Sequence, residues 1–225
     1  MERHLDVEIT TLKENLLKMA GQVESSIDLS IKALKERDGT LAQQVIDDDR
    51  IINDYEVKIE NLILTTMARQ QPVAADLRLL LASVKINSDL ERMGDHAVNI
   101  SQAGLRLMSV PPLKPLIDVP LMANLVQSMV RDSLDAFVYM DASKGMDVCA
   151  RDDDVDAIEE QIQRELITYM MQDHKNISAC LDFSLIARNL ERIADLSTNI
   201  GEEVIFVVKA QNIKHQFQDV HIRNS

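Results

Sequence analysis

Glu91, Asp95 and Asn99 stand four residues apart, and Glu191, Asp195 and Asn199 repeat that spacing at an offset of 100. On a helix, positions i, i+4 and i+8 fall in one column. A second spacing of the same kind lies upstream in each half: Asp152 with Asp156, and Asp49 with Asn53. Like charges at i, i+4 destabilise a helix by about 0.2–0.5 kcal/mol per pair, so a duplicated arrangement needs a reason. A solvated acidic face is the bland explanation of any one pair. Duplication weighs against it, and so do Arg92 and Arg192, which point elsewhere on the helical wheel and cannot fully neutralise the columns. Carboxylates converging from two helices attract a hard cation: Mg²⁺, Mn²⁺, Ca²⁺ or iron.

Other chemistry is poorly represented. No Glu stands three residues before any of the five His, so the Glu-x-x-His pattern of ferritin-like di-iron bundles is absent. His96 follows Asp95 but leaves its face, and His174 reads as a helix-terminus residue. No Gly-rich phosphate loop, nucleophile elbow or His-Glu-x-x-His segment occurs. Cys149 and Cys180 lack a Cys-x-x-Cys spacing and read as small buried thiols of a reducing compartment. The 11 Met residues read as core filler. A carboxylate-bridged metalloenzyme is the competing function; it would need an open coordination position in a pocket and a nearby base.

Long helices must position these columns. Four of the five prolines (Pro111, Pro112, Pro115 and Pro120) crowd the midpoint, where no helix can run through. Pro72 cuts the first half again, and Gly39 and Gly145 mark two further breaks. Six helices are expected, at about 3–37, 41–69, 73–108, 117–142, 145–172 and 176–210. The third carries Leu79, Ile86, Met93, Ile100 and Leu107 at a spacing of seven, and the sixth carries Ile186, Ile193, Ile200 and Val207. With Leu90, Ala97, Leu190 and Val204 between them, these are bundle seams. The acidic columns lie on the opposite side of each helix, facing out of its own bundle.

Leu90-Glu-Arg-Met-Gly-Asp-His-Ala-Val-Asn-Ile100 recurs as Leu190-Glu-Arg-Ile-Ala-Asp-Leu-Ser-Thr-Asn-Ile200. Acidic runs at 47–49 and 152–154 are expected to open the middle helix of each half. Aligning Asp49 with Asp152 then matches Glu56 with Glu159 and Ile59 with Ile162. The expected fold is therefore all-α: two tandem three-helix bundles, spanning 1–109 and 121–225 around a Pro-rich linker at 110–120.

Composition agrees and excludes more. Six Gly, five Pro and 3% aromatic residues in 225 are too few turn-formers for a sandwich or barrel, while 46% apolar residues supply a core. A formal charge of −13, with 24 Lys and Arg against 37 Asp and Glu, disfavours nucleic acid and bare anionic lipid. The longest charge-free stretch, Val119 to Val130, is far short of the roughly 20 apolar residues a membrane span needs. The opening Met1-Glu-Arg-His-Leu-Asp6 lacks the apolar stretch of a signal peptide, and a cytoplasmic location is expected.

The tandem Leu-Glu-Arg-x-x-Asp segments, with Gln71-Pro72-Val-Ala-Ala-Asp76-Leu77-Arg78, resemble the PhoU family of phosphate-uptake regulators over essentially the whole chain. The resemblance implies two similar three-helix bundles in a cytoplasmic, non-enzymatic regulator that restrains the phosphate-starvation response. It implies as partners the ATPase subunit of a phosphate ABC transporter and a sensor histidine kinase, contact with the membrane only through them, and a homodimer or higher oligomer. It also implies multinuclear metal clusters, of iron or alternatively Mn, Mg, Zn, Ni or Ca, at paired (Glu/Asp)-x-x-x-Asp motifs. By motif these are Asp152 with Asp156 and Glu191 with Asp195 in the second half, and Glu91 with Asp95 in the first. The remaining pair, Asp49 with Asn53, offers one neutral oxygen in place of a charge, so the first site is expected to hold metal less tightly.

Overall fold

The computed structural model describes residues 4–113 and 117–210. The described residues are helical with short connections: α1 His4–Glu36, α2 Gly39–Gln70, α3 Ala74–Met108, α4 Asp118–Tyr139, α5 Ala142–Ala150, α6 Asp152–Gln172 and α7 Ile177–Lys209. A 3₁₀ turn, His174–Asn176, leads into α7. The expected helices are present, the fifth as two, and among the described residues no helix is long and apolar enough to cross a membrane. Pro115 of the expected linker lies outside the described residues.

The first bundle packs α1, α2 and α3 together, and the second packs α4, α5 and α6 around α7. The Ile and Leu positions of the two heptad-like series are buried: Ile86, Leu90, Met93, Ala97 and Ile100 in α3, and Ile186, Leu190, Ile193 and Ile200 in α7. They belong to one apolar core that continues through both bundles. The two halves meet chiefly where α3 packs on α7, with α1 against α4 beside it. Polar contacts fix that seam: Lys85 Nζ to Glu203 Oε1 at 2.8 Å, His96 Nδ1 to Asn189 Oδ1 at 2.8 Å and Arg106 Nε to Asp182 Oδ1 at 2.7 Å. These pairings run in opposite directions along the two helices, so α3 and α7 are antiparallel. They converge on Met93–Gly94 level with Ile193–Ala194, the middle of both Glu-x-x-x-Asp motifs.

The turns are built by capping. Asp38 accepts from the amides of Thr40 (2.8 Å) and Leu41 (3.3 Å) to start α2, and Asp141 accepts from Ser143 (2.9 Å) and Lys144 (3.1 Å) to start α5. Each cap follows a residue in the left-handed region, Arg37 at φ 55° and Met140 at φ 54°. Arg37 Nη2 donates to the carbonyls of Leu107, Met108 and Val110 at 3.1, 2.9 and 2.6 Å, closing the C-terminal end of α3.

Three expectations are corrected. Gly145 does not break the chain. It lies inside α5, buried, where an added Cβ would stand 2.9 Å from the Gly201 carbonyl oxygen; its small size serves the approach of α5 to α7. The break falls instead at Met140–Asp141, the counterpart of Arg37–Asp38. Likewise, only the second acidic run opens a helix. Asp152–Asp154 form the first turn of α6, whereas Asp47–Asp49 lie well inside α2. The fifth expected helix is divided at Arg151, whose amide reaches back only to the Val148 carbonyl (3.1 Å). Its side chain is held on α4 by Asp132 (2.7 Å) and Ser128 (3.0 Å). The aligned residue in α2 is Asp48, which makes no such tie, and α2 runs on.

Candidate metal centres

The first acidic group is assembled between α2 and α3. Asp49, Asn53 and Glu56 lie along α2, and Glu91 and Asp95 along α3. The helices approach through Gly94: a Cβ there would stand 2.8 Å from Ile52 Cδ1 and 3.5 Å from Asp49 Oδ1. Absence of a side chain at 94 thus makes room for Ile52, and the Asp49 carboxylate lies over the same stretch of α3, where the Asp95 charge acts on it. Asn53 Nδ2 donates to Asp49 Oδ2 at 3.0 Å, while Asp49 Oδ1 is buried with no hydrogen-bond partner among the described residues. A buried, unpartnered carboxylate oxygen is costly unless something supplies positive charge.

The second group is assembled the same way between α6 and α7, from Asp152, Asp156, Glu159, Glu191 and Asp195. Thr198 Oγ1 donates to Asp152 Oδ1 at 3.3 Å. The positions matching Ile52 and Gly94 are Val155 and Ala194: one methylene fewer on the middle helix, one methyl more on the last. Arg192 departs from expectation. It pairs with both acids of its own motif, Nε to Glu191 Oε2 at 3.4 Å and Nη1 to Asp195 Oδ2 at 3.0 Å. Arg92 instead turns to Asp89, 3.7 Å away.

Electrostatics shows each group to be short of positive charge. Burial, and then the Asp95 charge, hold Asp49 above the ordinary carboxylate range despite the hydrogen bond from Asn53. Glu91 is raised by burial, then by Asp95, Glu56 and Asp49, against the opposing charge of Arg92. In the second half burial, then Asp195 and Asp156, push Asp152 up to about 6. Asp156 is raised by burial and by Asp195, Asp153 and Glu159. Glu191 is raised by burial and then Asp195, with Arg192 opposing.

All eight expected residues therefore fall into two groups, four in each half, and each acts on others of its group. Glu56 and Glu159 join them. They stand seven residues after Asp49 and Asp152 and match each other in the repeat, a signal legible in the sequence. Among the described residues no three Asp, Glu, His or Cys side chains stand close enough to close around one ion. An ion would have to draw the carboxylates inward. The donor set nonetheless suits a hard cation: every candidate donor is an oxygen, and Asp49 Oδ1 is already desolvated without a partner. Among the described residues no His joins either group. His96 is half-buried in the α3–α7 seam, where it donates Nδ1–H to Asn189, whose own amide donates to the Leu185 carbonyl at 2.7 Å. Both cysteines are buried, and burial pushes the Cys149 thiol up to about 12, consistent with inert core thiols.

Comparison with known proteins agrees with this duplicated layout. The PhoU domain model matches residues 16–103 and again 119–204, one match per bundle. A phosphate-specific transport system accessory protein PhoU homolog from Aquifex aeolicus is 40% identical over 209 residues, covering 93% of this chain and 95% of that one. The homolog of the same description from Clostridium acetobutylicum is 37% identical over 207 residues, covering 92% and 94%. The crystal structure of PhoU from Pseudomonas aeruginosa superposes with a TM-score of 0.89 at 36% identity, over 92% of this chain and 100% of that one. That of the phosphate transport system regulatory protein PhoU from Streptococcus pneumoniae gives 0.85 at 28% identity, over 93% and 99%. The chain, with its repeated acidic motif on repeated helix pairs, belongs to the PhoU family.

Proposed function

We propose that this protein regulates phosphate uptake as a non-enzymatic, cytoplasmic adaptor whose two acidic centres take hard cations. Its partners are the ATPase subunit of a phosphate ABC transporter and a sensor histidine kinase, and through them it restrains the phosphate-starvation response and touches the membrane. It acts as a homodimer or higher oligomer. The names of its relatives, accessory and regulatory proteins of phosphate transport, support the coarse role. The observation that carries the cation reading is the partnerless Asp49 oxygen within a group of like charges, with an equivalent group in the other half.

Asp49, Asn53, Glu56, Glu91 and Asp95 would hold the first cation or cluster, and Asp152, Asp156, Glu159, Glu191 and Asp195 the second. Iron is the leading candidate, with Mn, Mg, Zn, Ni and Ca as alternatives. A bound cation would supply the charge these carboxylates lack, turning two repulsive patches into neutral or cationic ones. Glu91 and Glu191 lie on the seam helices α3 and α7, so neutralising them changes the surface a partner meets on both bundles. Against a metalloenzyme stands the placement of the groups. One partly open cavity, about 340 Å³ and lined by Leu34, Leu107, Met108, Pro111 and Phe183 among others, contains none of these carboxylates.

The test is capture of the transporter ATPase subunit and of the kinase's sensory domain by the full chain, with and without Mn²⁺. Cation-dependent capture of either supports the adaptor reading. Failure with both partners under both conditions refutes it.

A further inference from the structure

We propose that Arg192 is a built-in counter-ion of the second centre, displaced when a cation enters, and that positions 89 and 189 decide where each arginine rests. The proposal rests on reading the two acidic groups as cation sites. The arginines occupy identical places in the repeated Leu-Glu-Arg-x-x-Asp motif, three residues after position 89 or 189. In the first half Arg92 pairs with Asp89, at 3.7 Å, and acts on Glu91 only through its charge, with no ion pair to Glu91 or Asp95 among the described residues. In the second half that position is Asn189, neutral, with Oδ1 engaged by His96 and Nδ2 by the Leu185 carbonyl. It offers Arg192 no carboxylate. Arg192 turns to the other side and lies across Glu191 and Asp195 at 3.4 and 3.0 Å.

The two halves therefore differ by compensating changes. The first centre has one carboxylate fewer, Asn53 in place of Asp156, and its arginine is held off. The second has the extra carboxylate but carries its own cation. An ion entering the second centre must break two ion pairs that the first centre does not have. Those pairs are half-exposed, so their displacement weakens affinity by a few-fold, less than an additional charged ligand contributes. Arg192 thus narrows the gap between the centres without reversing it.

Mn²⁺ titration calorimetry on the full chain at fixed ionic strength tests this, with one centre silenced at a time. In the E91Q/D95N background, Arg192→Gln is expected to raise second-centre affinity about fivefold. In the E191Q/D195N background, Arg92→Gln is expected to change first-centre affinity less than about twofold, because Arg92 is held on Asp89. Asp89→Asn in that background releases Arg92 onto Glu91 and Asp95 and is expected to lower affinity about threefold. Equal gains from Arg192→Gln and Arg92→Gln would indicate only the general field of a positive charge and would overturn the proposal, as would no gain from Arg192→Gln. Absence of Mn²⁺ uptake by the parent protein overturns the cation reading itself, and this proposal with it.

Discussion

In the first bundle α2 runs unbroken past its acidic residues, and Asp49 reaches α3 beside Ile52, for which Gly94 leaves room. In the second bundle the equivalent stretch is interrupted at Arg151, and Asp152 reaches α7 from the first turn of a new helix. Two backbone solutions thus bring matching positions against α3 and α7, with Asn53 in one half where Asp156 stands in the other. The packing beneath is compensated, Ile52 over Gly94 in one half and Val155 with Ala194 in the other. The positions of the carboxylates are maintained while the structure that supports them varies. That pattern fits residues serving as a site better than an acidic surface serving solubility.

The difference can be broken at several levels. The largest effect is expected from removing a motif outright. Glu191→Ala with Asp195→Ala should abolish Mn²⁺ binding at the second centre, a loss of at least about a hundredfold, and leave the first intact; the Glu91, Asp95 pair should do the converse. Calorimetric stoichiometry falling by half in each case is the expected reading. Next comes the packing. Gly94→Ala drives a methyl into Ile52, a clash partly offset by the helix propensity of alanine, and should destabilise the fold by up to about 1 kcal/mol in urea unfolding. Adding Ile52→Val, which copies the second half, should recover most of that loss.

Charge at the neutral donor is a subtler lever. Asn53→Asp should raise first-centre affinity by up to about tenfold and Asp156→Asn should lower that of the second by a similar factor. The pH dependence is the smallest effect. Asp152 has a folded-state pKa of about 6 against an ordinary value of 3.8, so the folded chain binds more protons than the unfolded chain between those values. Stability of the cation-free protein should therefore fall as pH rises from about 4 to 6, since the raised pKa is a cost borne by the charged form. Asp152→Asn should flatten that slope in thermal melts, and cation should restore stability at neutral pH.

Much of this molecule was legible in its residues. The seven-residue series of Leu, Ile and Met placed α3 and α7, and Pro72 and the midpoint prolines placed the boundaries around them. The grouping of the eight candidate positions followed from spacing and repetition, because a helix converts i, i+4 into a shared face without further information. What escaped depends on contacts between helices. Gly145 reads as a break in one dimension, and only the approach of Gly201 explains it. The true break at Met140–Asp141 was signalled by the Asp cap, but a left-handed Met gives no local sign. Arg192 was placed off the acidic column by the helical wheel. A long flexible side chain is not bound by its Cα direction, and the missing carboxylate at position 189 redirects it.

The most direct test is occupancy under scarcity. Cation-free protein is given less than one equivalent of Mn²⁺ per chain, and anomalous scattering from crystals reports the metal at each centre. The account predicts more Mn²⁺ among Asp152, Asp156, Glu191 and Asp195 than among Asp49, Asn53, Glu91 and Asp95. Equal filling, preference for the first group, or metal at neither would contradict it.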